Sequence, residues 1–134
     1  MFLVIVLDTS FLIALYLSED SNHTEALKLF INDKNELFTI SDLILEETLT
    51  VLNYKKDIEF TRIVYSELLS TKNIIITSSA MDKNSIIDIF FSQKKQLSFQ
   101  DASIVYQCLK TNARLFTFDN DMEKELEIKK LSKS

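Results

Sequence analysis

Four carboxylates stand where this chain passes between apolar runs and helical segments. Asp8 directly follows the run at 2–7, Glu47 lies six positions past Ser41, Asp101 three past Ser98, and Asp119 directly follows the run at 115–118. Carboxylates drawn together repel one another and need a hard cation to stay ionised, and an all-oxygen set suits magnesium or manganese rather than zinc. Such a site serves phosphodiester hydrolysis, in which one metal lowers the pKa of an attacking water and a second, roughly 3.5 to 4 Å away, stabilises the leaving oxygen. That chemistry needs neither histidine nor glycine, in a chain with one histidine, no glycine and no proline.

Each acid also has a purely structural reading. Ser98 with Asp101 matches a capping box, in which the aspartate serves a backbone donor and the helix dipole. Asp119, Asn120 and Asp121 match a turn that caps a last helix, and Glu47 can be solvated beside Glu46. Asp8 is the hardest to explain structurally, because it sits between two apolar runs. An EF-hand at Asp119 to Asp121 is excluded, since its sixth position is Lys124 instead of glycine and its twelfth Lys130 instead of glutamate.

The elements that must position these acids are read from periodicity. Residues 2–7 form a continuous apolar run, too short for a helix and rich in strand formers, as expected of a central strand buried on both faces. Further strands are expected at 37–40, 74–77 and 114–118. Helical spacing opens at Asn22, with Leu27, Phe30 and Ile31 on its apolar side, and at Ser41, with Leu45, Leu49 and Leu52 on one face. Helices are also expected at 58–69, 82–94 and 98–110, the last with Ala102, Val105 and Leu109 inward and Asn112 as its left-handed stop. Strands alternating with helices predict a three-layer α/β/α sandwich around a parallel sheet. In such sheets ligands bind beyond the carboxyl ends of the strands, where these acids would meet.

The chain has 134 residues, which predicts a single domain over 1–134, with only a short lysine-bearing tail at 129–134. Hydrophobic residues make up 46% and charged residues 26%, so disorder is not expected. The missing glycines exclude phosphate-cradling loops and dinucleotide fingerprints, so no nucleotide cofactor is expected. His23 is expected to be exposed and incidental. Cys108, among Val105, Tyr106 and Leu109, reads as a small core hydrophobe, and a lone cysteine suits the reducing cytoplasm. The apolar segment at 2–17 is not a membrane anchor, because Asp8 in mid-span would cost roughly 2.5 to 3.5 kcal/mol to insert. The net charge is −5, which gives no help to non-specific nucleic-acid binding, but bound divalent cations reverse the local sign where a phosphate docks.

Four segments in order, Leu7-Asp8-Thr9-Ser10, Ser41 with Glu47, Leu97-Ser98-Phe99-Gln100-Asp101-Ala102 and Leu115-Phe116-Thr117-Phe118-Asp119-Asn120-Asp121, make the chain resemble the PIN domains over nearly its whole length. The resemblance is strongest to the small VapC-type toxins of prokaryotic toxin-antitoxin pairs. It implies Asp8, Glu47, Asp101 and Asp119 as metal ligands, with Asp121 as an additional or water-mediated one and Thr9, Ser10 and Thr117 as polar neighbours. Glu46 competes with Glu47; distance from Ser41 and apolar register favour Glu47. The resemblance also implies a Mg2+- or Mn2+-dependent endoribonuclease with an RNA substrate, a homodimer, and a protein antitoxin that blocks the site. Glycine is usual in the family where Thr111 and Asn112 stand here. Lys55, Lys56, Arg62, Lys94 and Lys95 are the candidates for gripping RNA, although surface lysines also serve solubility alone.

Two other classes compete. One is a catalytically inactive PIN fold that binds RNA or protein. The other is a receiver-like domain phosphorylated on Asp8, which would need a second acidic pair near the first strand and a lysine after a late one; residues 2–7 contain no acid, and Phe118 leads to Asp119.

Overall fold

The computed structural model describes residues 3–133. Four strands, β1 (Val4–Leu7), β2 (Leu37–Ser41), β3 (Ile74–Thr77) and β4 (Arg114–Phe116), form one sheet in the order β3-β2-β1-β4, all neighbours parallel. Between and after them run α1 (Thr9–Tyr16), α2 (His23–Asn32), α3 (Asp42–Lys55), α4 (Ile58–Ser70), α5 (Lys83–Ser92), α6 (Phe99–Thr111) and α7 (Asn120–Lys133). Successive strand residues face opposite sides of a sheet. In β2, Phe38 meets Phe30 of α2 at 4.7 Å between rings, whereas its neighbour Thr39 accepts from Gln107 of α6. Helices therefore cover both faces, as the sandwich expectation requires. Among the described residues no helix is long and apolar enough to cross a membrane.

β1 is an interior strand, and Ile5, Val6 and Leu7 are fully buried, which accounts for its unbroken apolar run; the expected start at Phe2 lies outside the described residues. Directly after Asp8 comes α1, which the apolar run concealed. Five consecutive residues, Phe11 to Leu15, are buried, so this helix has no polar stripe to reveal its period. Phe11 packs on Phe116 and Phe118, with ring centroids 5.1 and 5.9 Å away, and ties the start of α1 to the end of β4.

Several expectations are corrected. β4 stops at Phe116 instead of 118, because the Phe118 N–H turns to Ser10 Oγ at 2.9 Å. On α2 the buried residue is Ala26, with Leu29 and Phe30 packed beside it, while Leu27 and Ile31 are exposed. The inner stripe of α3 is Ile44, Thr48 and Leu52; Leu45 and Leu49 are half-buried. The helix expected from 82 is preceded by a 3-10 turn (Ala80–Asp82), and it ends at Ser92, where the Gln93 side chain donates to the carbonyls of Phe90 and Leu97. His23 is half-buried, its Nδ1 donating to the Ala14 carbonyl at 2.7 Å and joining α2 to α1. The lysine-bearing segment from 129 is the end of α7 as far as Lys133, Ser134 lying outside the described residues.

Other features stand as read. Ser98 and Asp101 form a complete capping box, and Asn112 closes α6 at φ 52°, in the left-handed region that glycine would ordinarily fill. Cys108 is fully buried, and burial pushes its thiol up to about 12, which makes it chemically inert.

Candidate active site

Asp8 ends β1 and caps α1. Its extended backbone places Oδ1 to accept the Phe11 N–H at 2.8 Å. Ser10 Oγ donates to Oδ1 at 2.9 Å, and Thr117 Oγ1 donates to Oδ2. The same Thr117 Oγ1 accepts the Asp119 N–H at 2.9 Å, so one hydroxyl links the two aspartates across β1 and β4. On the other side Thr9 Oγ1 donates to Glu47 Oε1, and Thr48 Oγ1 donates to Thr9 at 3.5 Å. Thr48, fully buried on the inner face of α3, was not singled out from the sequence, although its spacing of four from Ile44 carried the signal.

Electrostatics place the fourth acid. Burial, together with the neighbouring charges of Glu47 and Asp119, raises the Asp101 carboxyl above its ordinary range against the opposing bonds from Ser98. Asp8 is 1% exposed, and burial pushes its pKa up to about 6, with Asp101 adding to the rise and the bonds from Thr117, Phe11 and Ser10 opposing it. Asp101 thus feels Asp8, Glu47 and Asp119 together. Among the described residues none of these four acids forms an ion pair with a lysine, arginine or histidine.

Of the residues expected at the site, Asp8, Glu47, Asp101 and Asp119 share this rim, and Thr9, Ser10 and Thr117 hold the carboxylates in place. Glu47 is half-buried toward Thr9 and Glu46 is exposed. Asp121 is exposed, and only its backbone N–H, donated to Asp119 Oδ1 at 3.0 Å, ties it to the group. Asp119 also caps α7 through the Met122 N–H, so the structural roles read for Asp101 and Asp119 exist alongside their place in the cluster. Among the basic candidates, Lys56 pairs with Glu19 and Arg62 with Glu59, Lys94 and Lys95 give their backbone N–H groups to Glu125, and Lys55 is exposed.

The donor set is oxygen-only and uncompensated by any base, which suits a hard divalent cation. As the side chains stand, hydroxyls occupy the space between the acids, and no three acidic, histidine or cysteine side chains among the described residues form a ready-made metal group.

The raised Asp8 pKa has a thermodynamic consequence. A carboxyl whose folded pKa exceeds its unfolded one contributes stability that is fully present below the unfolded value and lost as pH rises through the folded value. In the metal-free protein that loss falls between about pH 4 and pH 6 and approaches about 3 kcal/mol. Asp8→Asn, which can keep the bond to Phe11, should therefore stabilise the protein in chelator at pH 7.5 by about 2 to 3 kcal/mol and by almost nothing near pH 4. Urea denaturation across that range checks it; a gain that does not change with pH would contradict the burial of an ionised Asp8.

Comparison with known proteins follows the same outline. The PIN domain family model matches residues 5–125. Mycobacterium tuberculosis VapC20, described as a sarcin-ricin loop cleaving toxin, superposes with a TM-score of 0.82 at 23% identity, covering 90% of this chain and 93% of that one. VapBC2 from Rickettsia felis, solved bound to a DNA fragment from its promoter, gives a TM-score of 0.67 at 18% identity over 92% and 93% of the two chains. No curated relative matches the sequence.

Proposed function

The chain belongs to the PIN domain family, and on that premise we propose that it is a divalent-metal-dependent endoribonuclease acting as the toxin of a toxin-antitoxin pair. The observation that supports this most strongly is Asp8, a buried carboxylate without a basic partner, linked through Thr117 to Asp119, through the adjacent Thr9 to Glu47, and by charge to Asp101. These four acids would hold Mg2+ or Mn2+, with Asp121 reaching it through a water. The cation, when bound, lowers the pKa of an attacking water and offsets charge on the phosphate. Ser10 and Thr117 fix the Asp8 rotamer by bonds to both of its oxygens, and Thr9 does the same for Glu47. Fixed ligands need little reorganisation when substrate arrives.

The likeness to a sarcin-ricin loop cleaving toxin supports an RNA substrate, and the likeness to VapBC2 supports a protein antitoxin. We read the chain as a homodimer, as the family resemblance implies, and as cytoplasmic, as its lone cysteine suits. An inactive PIN fold that only binds RNA or protein is the second reading, favoured by the absence of a ready-made metal group among the described residues. The test is direct: purified protein should cut RNA with magnesium or manganese, fall to background in chelator, and recover when the metal is returned. Cleavage that persists unchanged in chelator, or no cleavage of any RNA with either metal, would refute the proposal.

A further inference from the structure

A second polar feature lies beside the acids and shares none of them. It is a cavity of about 130 Å3 beyond the ends of β2 and β3, lined among others by Ser41, Thr77, Ser78, Ser79, Ser103 and Gln107. Ser41 and Thr77 are the last residues of their strands, so the cavity opens on the same edge of the sheet as Asp8. β2 neighbours β1 and β3 lies one strand further, which sets the cavity roughly 5 to 10 Å along the edge from β1.

Gln107 gives the cavity its chemical bias. Its Nε2 donates to Thr77 Oγ1 at 3.0 Å and Thr39 Oγ1 at 3.3 Å. Thr77 Oγ1 spends its own hydrogen on the Ile40 carbonyl, so it can only accept from the amide, and the amide orientation is thereby set. Gln107 Oε1 is left buried and without a partner. A buried acceptor in that state favours any guest that brings it an N–H. Around it the hydroxyl oxygens of Ser41, Ser78 and Ser79 each accept a bond, from Ile44 N, Ala80 N and Lys83 Nζ respectively, which leaves their hydrogens to be donated. Asp82, whose Oδ1 accepts from Tyr106 and Lys110, also lines the cavity, so the wall offers the Gln107 oxygen and one carboxylate as acceptors among several hydroxyl donors.

We propose that this cavity receives an unpaired pyrimidine base of the RNA strand, with Gln107 Oε1 accepting an N–H from its pairing edge and the serine hydroxyls donating to its carbonyl or ring-nitrogen acceptors. The proposal rests on the ribonuclease reading above. Sequence-specific RNA recognition works on bases splayed out of the stack and read on that edge. The volume is close to that of a cavity of about 150 Å3 that takes a single benzene ring, which suits one ring better than two. Gln107 is thus a specificity-determining residue, outside the cleavage machinery.

The test is fluorescence anisotropy with short oligouridylate, oligocytidylate and oligoadenylate, in chelator, on the wild type, Gln107→Leu and Ser78→Phe. Ser78 is exposed, so its replacement blocks the mouth without disturbing the threonine bonds and serves if Gln107→Leu does not fold. The wild type should prefer a pyrimidine oligonucleotide to oligoadenylate by about tenfold. Both variants should remove about that factor and leave oligoadenylate unchanged. Absent pyrimidine binding, a preference for oligoadenylate, or equal effects on all three would overturn the proposal, as would a Ser78→Phe protein that loses only self-association. Because binding is read without divalent cation, a protein that discriminates here yet cuts nothing with magnesium overturns the nuclease reading alone. One that cuts RNA but does not discriminate overturns only the pocket.

Discussion

Asp8→Asn is expected to lower RNA cleavage by about a thousandfold or more, the scale on which single electrostatic groups act in hydrolytic sites. The substitution preserves shape and the bond from Phe11, and it removes a charge that the fold holds out of water without an ion-pair partner. Loss of activity should therefore come with a folded, metal-free protein that is more stable at neutral pH than the wild type. That pairing separates a catalytic carboxylate from a structural one, because a carboxylate whose charge served the fold would lose stability on substitution. A single-turnover assay with magnesium, run beside urea denaturation in chelator, reads both; an Asp8→Asn protein that cuts RNA at the wild-type rate would end the metal-site account.

The largest effect on stability is expected from Glu125→Ala, in α7. Glu125 is fully buried, and its Oε1 accepts the backbone N–H groups of Lys94 at 2.8 Å and Lys95 at 2.7 Å. Its Oε2 makes no hydrogen bond and lies 3.6 Å from Lys129 Nζ, an ion pair by distance only, since that ammonium donates to the Ser92 carbonyl and hydroxyl. Removing the carboxylate leaves two backbone donors without their acceptor and a half-buried ammonium without its nearby opposite charge, at a cost of about 3 to 5 kcal/mol. The segment it clasps leads into Ser98 and the first turn of α6, so Asp101 should be loosened as well, and cleavage should fall with stability. Glu125→Gln, which keeps the accepting oxygen, should recover most of both. A Glu125→Ala protein within about 1 kcal/mol of the wild type in urea would show that the clasp is dispensable.

Local signals in the sequence carried much of this arrangement. β1 announced itself through apolar residues buried on both faces, α6 through the Ser98 and Asp101 pair, and its end through Asn112, the one residue at positive φ among those described. Asp8 and Asp119 stood out because each follows a strand, and Asp101 because it lies in the first turn of a helix. Glu47 was preferred to Glu46 by its distance from Ser41, and the three hydroxyl neighbours came only from the family resemblance. What stayed hidden depends on packing between distant segments. α1 is buried over consecutive positions and so lacks a helical stripe, whereas α2 buries small Ala26 and exposes the larger Leu27 and Ile31. Glu125 lies in a stretch dense in charge that reads as a solvated face, and nothing in its neighbours marks it as the residue turned inward. Gln107 and Thr39 are far apart in the chain, and their pairing arises only when α6 lies across the sheet.

All of this turns on a few acids sharing a divalent ion. Titrating metal-free wild type and Asp8→Asn with manganese in a calorimeter measures that sharing directly. The account predicts saturable binding to the wild type at submillimolar concentration and at least about tenfold weaker binding to Asp8→Asn. Equal affinities, or no binding to the wild type at millimolar manganese, would contradict it.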